Sequence, residues 1–235
     1  ESSWGDFTGQ SVACDAFDAT RPLRIVTHAH ADHLCGLRSS LRSCEKVLMT
    51  TATRDLVTVL NGPNMLGNGH VETIEYGESL EFDGERINLS RADHILGAAQ
   101  VIVEDSEGLR VAYTGDFRLE GTEPIKDCDV LVVEATYGSP LCRRSFGTNV
   151  ESLLVEMVEQ RLRRGVVYVF GYHGKLQEVM QILRCADVSV PFVMPERVFH
   201  VSKVCEQHGM RLGGLTLSTE TDGQELLNCD LPCVA

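Results

Sequence analysis

Short apolar runs separated by glycine, asparagine and aspartate fill the first 140 residues, and this pattern predicts a series of short β-strands. The runs lie at Arg24–Thr27, Lys46–Thr50, Val71–Glu75, Arg86–Ser90, Gln100–Glu104 and Arg110–Thr114. A further apolar run, Asp129–Glu134, closes in an acid, as expected of a buried strand that ends at a site.

The pattern changes after Tyr137, where a polar loop precedes a helical spacing of apolar residues. Asn149 can cap this helix, and Gly165 ends it. Its apolar stripe consists of Val150, Leu153, Leu154, Met157 and Val158. Alternating elements follow: a strand at Val166–Phe170, a helix at Lys175–Arg184, a strand at Pro191–Met194 and a helix at Glu196–His208. The alternation predicts a parallel α/β layer, so we expect two domains, at residues 1–140 and 141–235.

Composition and charge narrow the function classes. The net charge of −13 argues against unaided binding to nucleic acid, although bound divalent ions would return positive charge at a site. No apolar run reaches the roughly 18 residues of a membrane span, and no targeting peptide is visible after Glu1. The nine cysteines are scattered without a C-x-x-C pair, which is typical of a reducing cytosol, so we expect a cytoplasmic protein without membrane contact.

Metal-binding side chains are concentrated in Thr27–His33 (THAHADH), directly after an apolar run. Imidazoles and carboxylates are ligands for zinc and similar ions. In an extended segment, His28 and His30 point to the same side and can bind one ion together. Asp32 and His33 lie where the chain turns into the next helix, and they can face a second ion.

This H-x-H-x-D-H pattern resembles the hallmark of the metallo-β-lactamase superfamily, and further parts of that pattern recur downstream. A third imidazole ligand matches His94 in Asp93–Ala99, and a bridging carboxylate matches Asp116 in Tyr113–Phe117. The resemblance implies one ion held by three histidines, a second ion held by an aspartate, a histidine and a further ligand not found in this chain, and a carboxylate between the two ions. These residues are, in order, His28, His30 and His94; Asp32 and His33; and Asp116.

An isolated aspartate before the histidines completes the family pattern. It matches Asp18 in Phe17–Pro22, and the resemblance implies that its carboxylate accepts an imidazole N–H and so fixes the ligand's tautomer. Asp15 lies three residues earlier and competes for this role, and either acid can be a simple turn residue.

Three segments resemble the nucleic-acid-processing branch of the superfamily: His94–Gln100, Tyr113–Arg118 and Glu134–Gly138. That branch carries an inserted α/β domain called β-CASP, and Gly171–Glu178 is similar to its first strand–helix turn. The resemblance implies an α/β fold: a metallo-β-lactamase αββα sandwich followed by the first part of a parallel β-CASP-like domain, incomplete at the C-terminus. The branch supplies more histidines after the insert, and none follows His208, so the chain either stops before them or is a degenerate copy.

These features predict two-metal hydrolysis. Two Zn²⁺ ions are the expected cofactors, with Mn²⁺ or Fe as alternatives, and together they would activate water for attack on a phosphodiester. Asp32 is expected to orient the nucleophile and Glu134 to orient the metal ligands. Five side chains are candidates for binding substrate: Arg118, Arg143, Arg144, Lys175 and His173.

The leading hypothesis is a metal-dependent nuclease that hydrolyses RNA in end processing. A DNA 3′ exonuclease of the ligase-associated type is the near alternative, because the Arg-Pro pair after Asp18 and the Gly174–Gln177 turn also fit those enzymes. A thioester or lactone hydrolase and a non-catalytic scaffold are the alternatives of another class. RNA or DNA is the expected partner, and the sequence is compatible with a homodimer or a subunit of a processing complex.

Overall fold

The computed structural model describes residues 6–7, 10–67, 70–139, 141–142 and 149–235. The chain divides into two compact units, Glu1–Thr136 and Tyr137–Ala235. Among the described residues, no helix combines the length and the apolar character that crossing a bilayer requires.

Two five-stranded sheets form the described part of the first unit. The first sheet contains, in spatial order, β1 (Asp6–Phe7), β2 (Val12–Cys14), β3 (Leu23–Ile25), β4 (Lys46–Met49) and β5 (Val71–Thr73), and β2 to β5 are parallel. The second contains β6 (Ser79–Phe82), β7 (Glu85–Arg91), β8 (Ala99–Glu104), β9 (Arg110–Tyr113) and β10 (Val130–Val132) in the same order. Its strands are antiparallel except for the parallel pair of β9 and β10.

The two sheets pack against each other over one apolar core. Alternate residues of each strand face this core, because side chains of a strand point to opposite faces in turn. The first sheet contributes Val12, Cys14, Leu23, Ile25 and Leu48, and the second contributes Ile87, Leu89, Val101, Val103 and Tyr113. The seven expected strands are all present, with ends that differ by no more than two residues.

The strand β10 is less buried than its apolar sequence predicts. It is the edge strand of its sheet, and the side chains of Val130 and Leu131 are 47% and 50% exposed. The expectation of a buried strand at Asp129–Glu134 is therefore wrong, because strand order, which a single run does not encode, leaves one of its sides unpaired.

Among the described residues of the first unit, two α-helices lie between strands, α1 (Leu37–Ser43) and α2 (Thr51–Asn61), and a short 3-10 helix spans Leu119–Gly121. The turn after His33 leads into α1, as expected. The helix α2 was not predicted from the sequence, because its threonines and valines favour strands. The signal was present in the cap: the side chain of Thr50 accepts a hydrogen bond from the N–H of Thr53.

The second unit alternates helices and strands around the short parallel pair β11 (Phe192–Met194) and β12 (Leu215–Leu217). Its helices are α3 (Val150–Leu162), α4 (Lys175–Cys185), α5 (Glu196–Gln207) and α6 (Thr221–Asn228). The expected parallel α/β arrangement is present, whereas β12 and α6 were missed.

The strand expected at Val166–Phe170 is not formed, and this prediction was wrong. The segment makes only an isolated parallel bridge between Val167 and Val234. Val167 N–H donates to Cys233 O over 2.9 Å, and Val169 N–H donates to Ala235 O over 2.7 Å. A strand needs a partner of matching length as well as a suitable sequence, and the segment pairs here with three residues.

Candidate metal centre

The motif residues lie after the carboxyl ends of strands from both sheets. His28 and His30 follow β3, His94 follows β7, Asp116 follows β9 and Glu134 follows β10. Both β7 and β9 are antiparallel to β8 and therefore run in the same direction, and β10 is parallel to β9. Side chains that are distant in sequence are thus brought to one edge of the second sheet.

Three imidazole nitrogens converge beside Asp116, and we refer to His28, His30 and His94 as the three-histidine group. His30 Nδ1 lies 3.0 Å from His28 Nε2 and 3.0 Å from His94 Nε2. Asp116 Oδ2 is 3.6 Å from His94 Nε2 and 4.0 Å from His28 Nε2. The potential ligand atoms of these residues all lie within 4.8 Å of one another, and only His28 among them is fully buried.

Hydrogen bonds that Thr27 donates to Asp15 determine which nitrogen of His28 carries the proton. Thr27 Oγ1 donates to Asp15 Oδ2 over 2.6 Å, and Thr27 N–H donates to Asp15 Oδ1 over 2.8 Å. Because this hydroxyl has used its own proton, it accepts one from His28 Nδ1, 3.0 Å away. Nε2 of the neutral His28 ring is therefore unprotonated, and its lone pair lies on the side of the ring that faces His30.

The same carboxylate holds His33. His33 Nδ1 lies 2.7 Å from Asp15 Oδ2, and it donates because a carboxylate can only accept. His33 Nε2 faces Asp116 Oδ1 at 3.4 Å and Asp32 Oδ2 at 3.6 Å. The two oxygens of Asp116 thus have different neighbours, since Oδ1 lies near His33 and Oδ2 lies near the three-histidine group.

Burial and nearby charge set the protonation of these groups. Burial works against a charged His33, but hydrogen bonds to Asp116 and Asp15 outweigh it and raise the pKa of His33 to about 10. The hydrogen bond from His33 holds the pKa of Asp116 below its usual range, although burial opposes this. Burial lowers the pKa of His94, which favours the neutral ring. The ionised carboxylate of Asp116 beside the neutral ring of His94 is the state in which both can bind a metal, whereas the charged ring of His33 would have to lose its Nε2 proton to do so.

The donor set fits a transition-metal ion. Imidazole nitrogen binds zinc at about 2.0–2.1 Å, so two such nitrogens on one tetrahedral ion lie about 3.3 Å apart. The separations of 3.0 Å within the three-histidine group are close to this value. Mixed nitrogen and oxygen ligands also suit manganese and iron, so the donors favour a divalent ion of this class.

The loop that carries His94 is fastened to the start of α2. Thr50 Oγ1 and Thr53 Oγ1 each donate to Gly97 O over 2.9 Å. Gly97 has φ +80°, and a Cβ at this position would lie 2.6 Å from Thr53 N. Both the backbone conformation and the close approach therefore require glycine.

The same loop is joined to the loop that carries Asp116. Arg118 Nε and Nη2 contact the two carboxylate oxygens of Asp93 at 3.1 Å and 3.2 Å. Arg118 N–H also donates to Asp93 O over 2.7 Å. Asp93 directly precedes His94, so this pair ties one ligand loop to the other. Substrate binding by Arg118 stays a prediction, and the contacts observed for its guanidinium are those of a clamp between loops.

A glycine allows the turn before Asp116 to approach the histidine segment. Gly115 has φ +55°, and a Cβ there would lie 3.1 Å from Thr27 Cβ and 3.3 Å from Ala99 O. Ala99 N–H in turn donates to Thr27 O over 3.0 Å. This close packing of the two sheets places Asp116 opposite His28.

Asp18 does not contact an imidazole, and the choice of Asp18 over Asp15 is corrected by the structure. Asp18 Oδ1 accepts hydrogen bonds from the N–H and the hydroxyl of Thr20, at 2.7 Å each, which closes a local turn. Asp15 is 3% exposed and makes the contacts described above. The missed signal was its position directly after the apolar run Val12–Cys14, because the other site residues also follow strands.

Glu134 lies near the cluster but bonds locally. Its N–H donates to Thr114 Oγ1 over 3.2 Å, and its Oε2 accepts from the N–H of Thr136 over 2.8 Å. Its negative charge acts to raise the pKa of His94, which burial lowers more strongly. That Glu134 orients the ligands stays a prediction.

The remaining candidates for substrate binding belong to the second unit. Lys175 begins α4, and its ammonium pairs with Glu178 while remaining largely exposed. His173 is half-buried just before that helix. Arg143 and Arg144 lie outside the described residues.

A family model described as a beta-lactamase superfamily domain matches residues 15–173. The chain belongs to the beta-lactamase superfamily. The part matched to this superfamily begins at Asp15 and includes the three-histidine group and Asp116. The expected α/β fold of the metallo-β-lactamase type is therefore confirmed.

Relatives within the superfamily differ in length. A protein of Acidianus ambivalens, named as uncharacterized and in the lig 3′ region, is 43% identical over 138 residues, which is 58% of this chain and 99% of that protein. The transcription termination factor FttA of Pyrococcus horikoshii is 29% identical over 217 residues, covering 77% of this chain and 33% of the factor. An RNase J-like protein of Methanocaldococcus jannaschii is 31% identical over 182 residues, covering 68% and 42%.

The chain therefore spans between a third and a half of the length of the two relatives that are named for a function. A crystal structure of a protein of unknown function from Enterococcus faecalis matches 93% of this chain and 59% of its own, with a TM-score of 0.60 and 12% identity. This likeness concerns the fold alone.

Proposed function

We propose that the chain is the metal-binding part of a nuclease that hydrolyses phosphodiester bonds of RNA, in RNA end processing. The observation that carries the proposal is the convergence of the three-histidine group on one oxygen of Asp116, with His33 facing the other oxygen. This is the arrangement expected when a carboxylate lies between two cations.

The residues of the site would divide between two ions. The three-histidine group would hold the first ion, Asp32 and His33 would hold the second, and Asp116 would contribute one oxygen to each. Zinc is the favoured ion, with manganese or iron as alternatives. Such a pair, when bound, lowers the pKa of water and stabilises charge on a phosphoryl oxygen.

The protein's own residues prepare the site for this chemistry. Asp15, directly and through Thr27, keeps a proton on Nδ1 of both His33 and His28, so that both Nε2 atoms face inward. His33 is charged before an ion binds, and its Nε2 proton would leave when the second ion binds. The side chain of Asp32 is 79% exposed beside His33 Nε2, so its carboxylate can accept a hydrogen bond from an incoming water and orient it. Glu134 would add negative charge near His94 and so favour cation binding.

Two relatives support RNA as the substrate, since one is named as RNase J-like and another as a transcription termination factor. We propose that residues 141–235 form the first part of a β-CASP-like domain, and that Lys175, His173, Arg143 and Arg144 contribute cationic groups for phosphate. A role as a homodimer or as a subunit of a processing complex is compatible with this proposal. No disulfide joins the nine cysteines in the described part of the chain, which is in keeping with the proposed cytoplasmic location.

DNA is the second candidate substrate. The relative from Acidianus ambivalens, which has the higher identity of the three, is named for the lig 3′ region rather than for an RNA function. The motif spacing likewise left a ligase-associated DNA exonuclease open. One experiment can therefore test which nucleic acid is cleaved and from which end.

The test incubates zinc-loaded and manganese-loaded protein with single-stranded RNA and DNA of the same sequence, labelled at the 5′ or the 3′ end. We expect RNA cleavage by the wild type and by His200→Ala, whose imidazole lies on α5 beside Glu196, and no cleavage by His30→Ala. Cleavage of DNA alone would favour the second candidate. Equal cleavage by His30→Ala would contradict the proposed site. A parallel assay with a thioester tests the other enzyme class, which would be favoured if the thioester is hydrolysed and both nucleic acids stay intact.

A further inference from the structure

A buried arginine lies behind the metal ligands, and nothing in the sequence pattern singled it out. Arg24 is the central residue of β3, and its neighbours Leu23 and Ile25 face the core between the sheets. Arg24 therefore points to the opposite face of the sheet, where its side chain is 0% exposed.

The guanidinium donates to the backbone of the turn that carries the second pair of ligands. Nη2 donates to His33 O over 2.8 Å, and Nη1 donates to Cys35 O over 2.8 Å. Nη1 also lies 3.1 Å from Ser40 Oγ in α1. One planar cation thus fixes two carbonyl groups within the turn at 31–36.

At the end of the turn, Leu37 N–H donates to Leu34 O over 3.0 Å. Across its start, the backbone hydrogen bonds from Leu34 N–H to Ala31 O and from Cys35 N–H to Asp32 O are 3.3 Å and 3.4 Å long. These exceed the usual range for such bonds, whereas both bonds from Arg24 lie well within it. Hydrogen bonds from a charged donor are also roughly twice as strong as neutral ones.

Simple packing does not account for the arginine. Its Nε has no hydrogen-bond partner among the described residues, and burial lowers the pKa of the side chain, although the charge of Asp15 opposes this shift. Where a buried charge serves only to fill space, an apolar side chain of similar volume is often as stable or more so. Asp15 bonds to the ring of His33 and Arg24 bonds to its backbone carbonyl, so the two charged residues fix different parts of His33.

We propose that Arg24 is a positioning residue for the second metal site: by holding the carbonyls of His33 and Cys35, it sets Asp32 and His33 at the distance from Asp116 that a second ion requires. The inference rests on the proposed two-metal function and concerns only the second ion. The three-histidine group lies outside the turn that Arg24 holds.

The test titrates metal-free protein with zinc by calorimetry and measures the number of bound ions and the affinity of each. For wild type we expect two ions. For Arg24→Met we expect the first ion to bind as in wild type and the second to bind about 10- to 100-fold more weakly, the range typical for loss of a group that orients ligands. Ser40→Ala is the matched control, because it removes a partner of Arg24 but leaves the carbonyls of His33 and Cys35 bonded to the guanidinium, and it should bind both ions as wild type does.

Arg24→Lys keeps the test decisive if Arg24→Met does not fold, which circular dichroism would reveal. A single ammonium cannot reproduce the fork of a guanidinium, so we expect Arg24→Lys also to weaken the second ion selectively. Either folded variant binding both ions as wild type does, or losing both ions equally, would overturn the inference. Wild-type protein that binds fewer than two ions would instead contradict the two-metal proposal itself.

Discussion

Asp15 acts on two ligand imidazoles at once, on His33 directly and on His28 through Thr27. It is buried, and each of its oxygens accepts at least one hydrogen bond. Asp18, only three residues away, bonds to Thr20 and to no imidazole in the part of the chain that is described. Replacing each aspartate by asparagine therefore makes the same chemical change at two positions, of which only Asp15 bonds to an imidazole.

Asp15→Asn should weaken zinc binding by about 10- to 100-fold, because an amide donor replaces a carboxylate oxygen that accepts from Thr27 or His33. It should also lower the free energy of unfolding by about 1–3 kcal/mol, since buried hydrogen bonds are lost. Asp18→Asn should leave both the free energy of unfolding and the zinc affinity close to those of the wild type, because its contacts are local and exposed. Competition with a chromophoric chelator and urea unfolding measure both quantities. A larger effect from Asp18→Asn would restore the assignment made from sequence.

At the scale of elements, two loops and two sheets must meet to bring the ligands together. The clamp between Asp93 and Arg118 joins the loop after β7 to the loop after β9. The turn at Gly115 brings the second of these loops against the segment after β3. Each contact can be tested without replacing a metal ligand.

Arg118→Ala, Asp93→Asn and the double variant form a cycle that separates clamping from substrate binding. If the pair acts as a clamp, each single change should weaken zinc binding similarly, and the double change should cost little more than either one. We expect a coupling energy of about 0.5–3 kcal/mol. Should Arg118→Ala instead raise KM for RNA while Asp93→Asn leaves it unchanged, Arg118 binds phosphate as the sequence suggested.

Gly115→Ala compared with Gly108→Ala tests the close approach of the two sheets. Both glycines have positive φ, but a Cβ at Gly108 meets nothing within 4 Å, whereas one at Gly115 meets Thr27 at 3.1 Å. The backbone conformation alone should cost roughly 1–2 kcal/mol in either variant. Overpacking should cost Gly115→Ala about 1–3 kcal/mol more, measured by denaturant unfolding. Equal losses in the two variants would show that the contact with Thr27 relaxes freely.

At the scale of the whole molecule, the chain carries a net charge of −13. The residues of the described candidate metal cluster all belong to the first unit. A cation bound at one end of the sandwich would therefore stabilise that unit in particular. Stabilisation by a ligand follows its concentration relative to Kd, and reaches about 2.7 kcal/mol at 100 times Kd.

Hydrogen exchange with and without zinc should show where that stabilisation acts. We expect slower exchange in the segments at 26–36, 92–98 and 114–117, because a bound ion would join them, and unchanged exchange in α4. His30→Ala should show much weaker protection. Equal protection of both units would contradict binding of zinc at the candidate metal site.

Much of the fold and of the candidate metal site could be predicted from the sequence, because short patterns of apolar and polar residues determine local structure. Apolar runs predicted seven of the ten strands described in the two sheets, and β1, β2 and β6 were not predicted. The spacing of His28, His30, Asp32 and His33 predicted a metal site directly after one of the strands. The resemblance to the superfamily supplied His94 and Asp116, and the structure places both beside the histidines.

Tertiary structure alone decided which groups hold those ligands in place. The roles of Asp15 and Arg24 depend on what lies across β2, β3 and the turn beyond them, and the pairing of Asp93 with Arg118 depends on two loops meeting. The same holds for the exposure of β10, which follows from its place at the edge of a sheet. A sequence specifies which side chains follow a strand, but strand order and packing determine which partners those side chains meet.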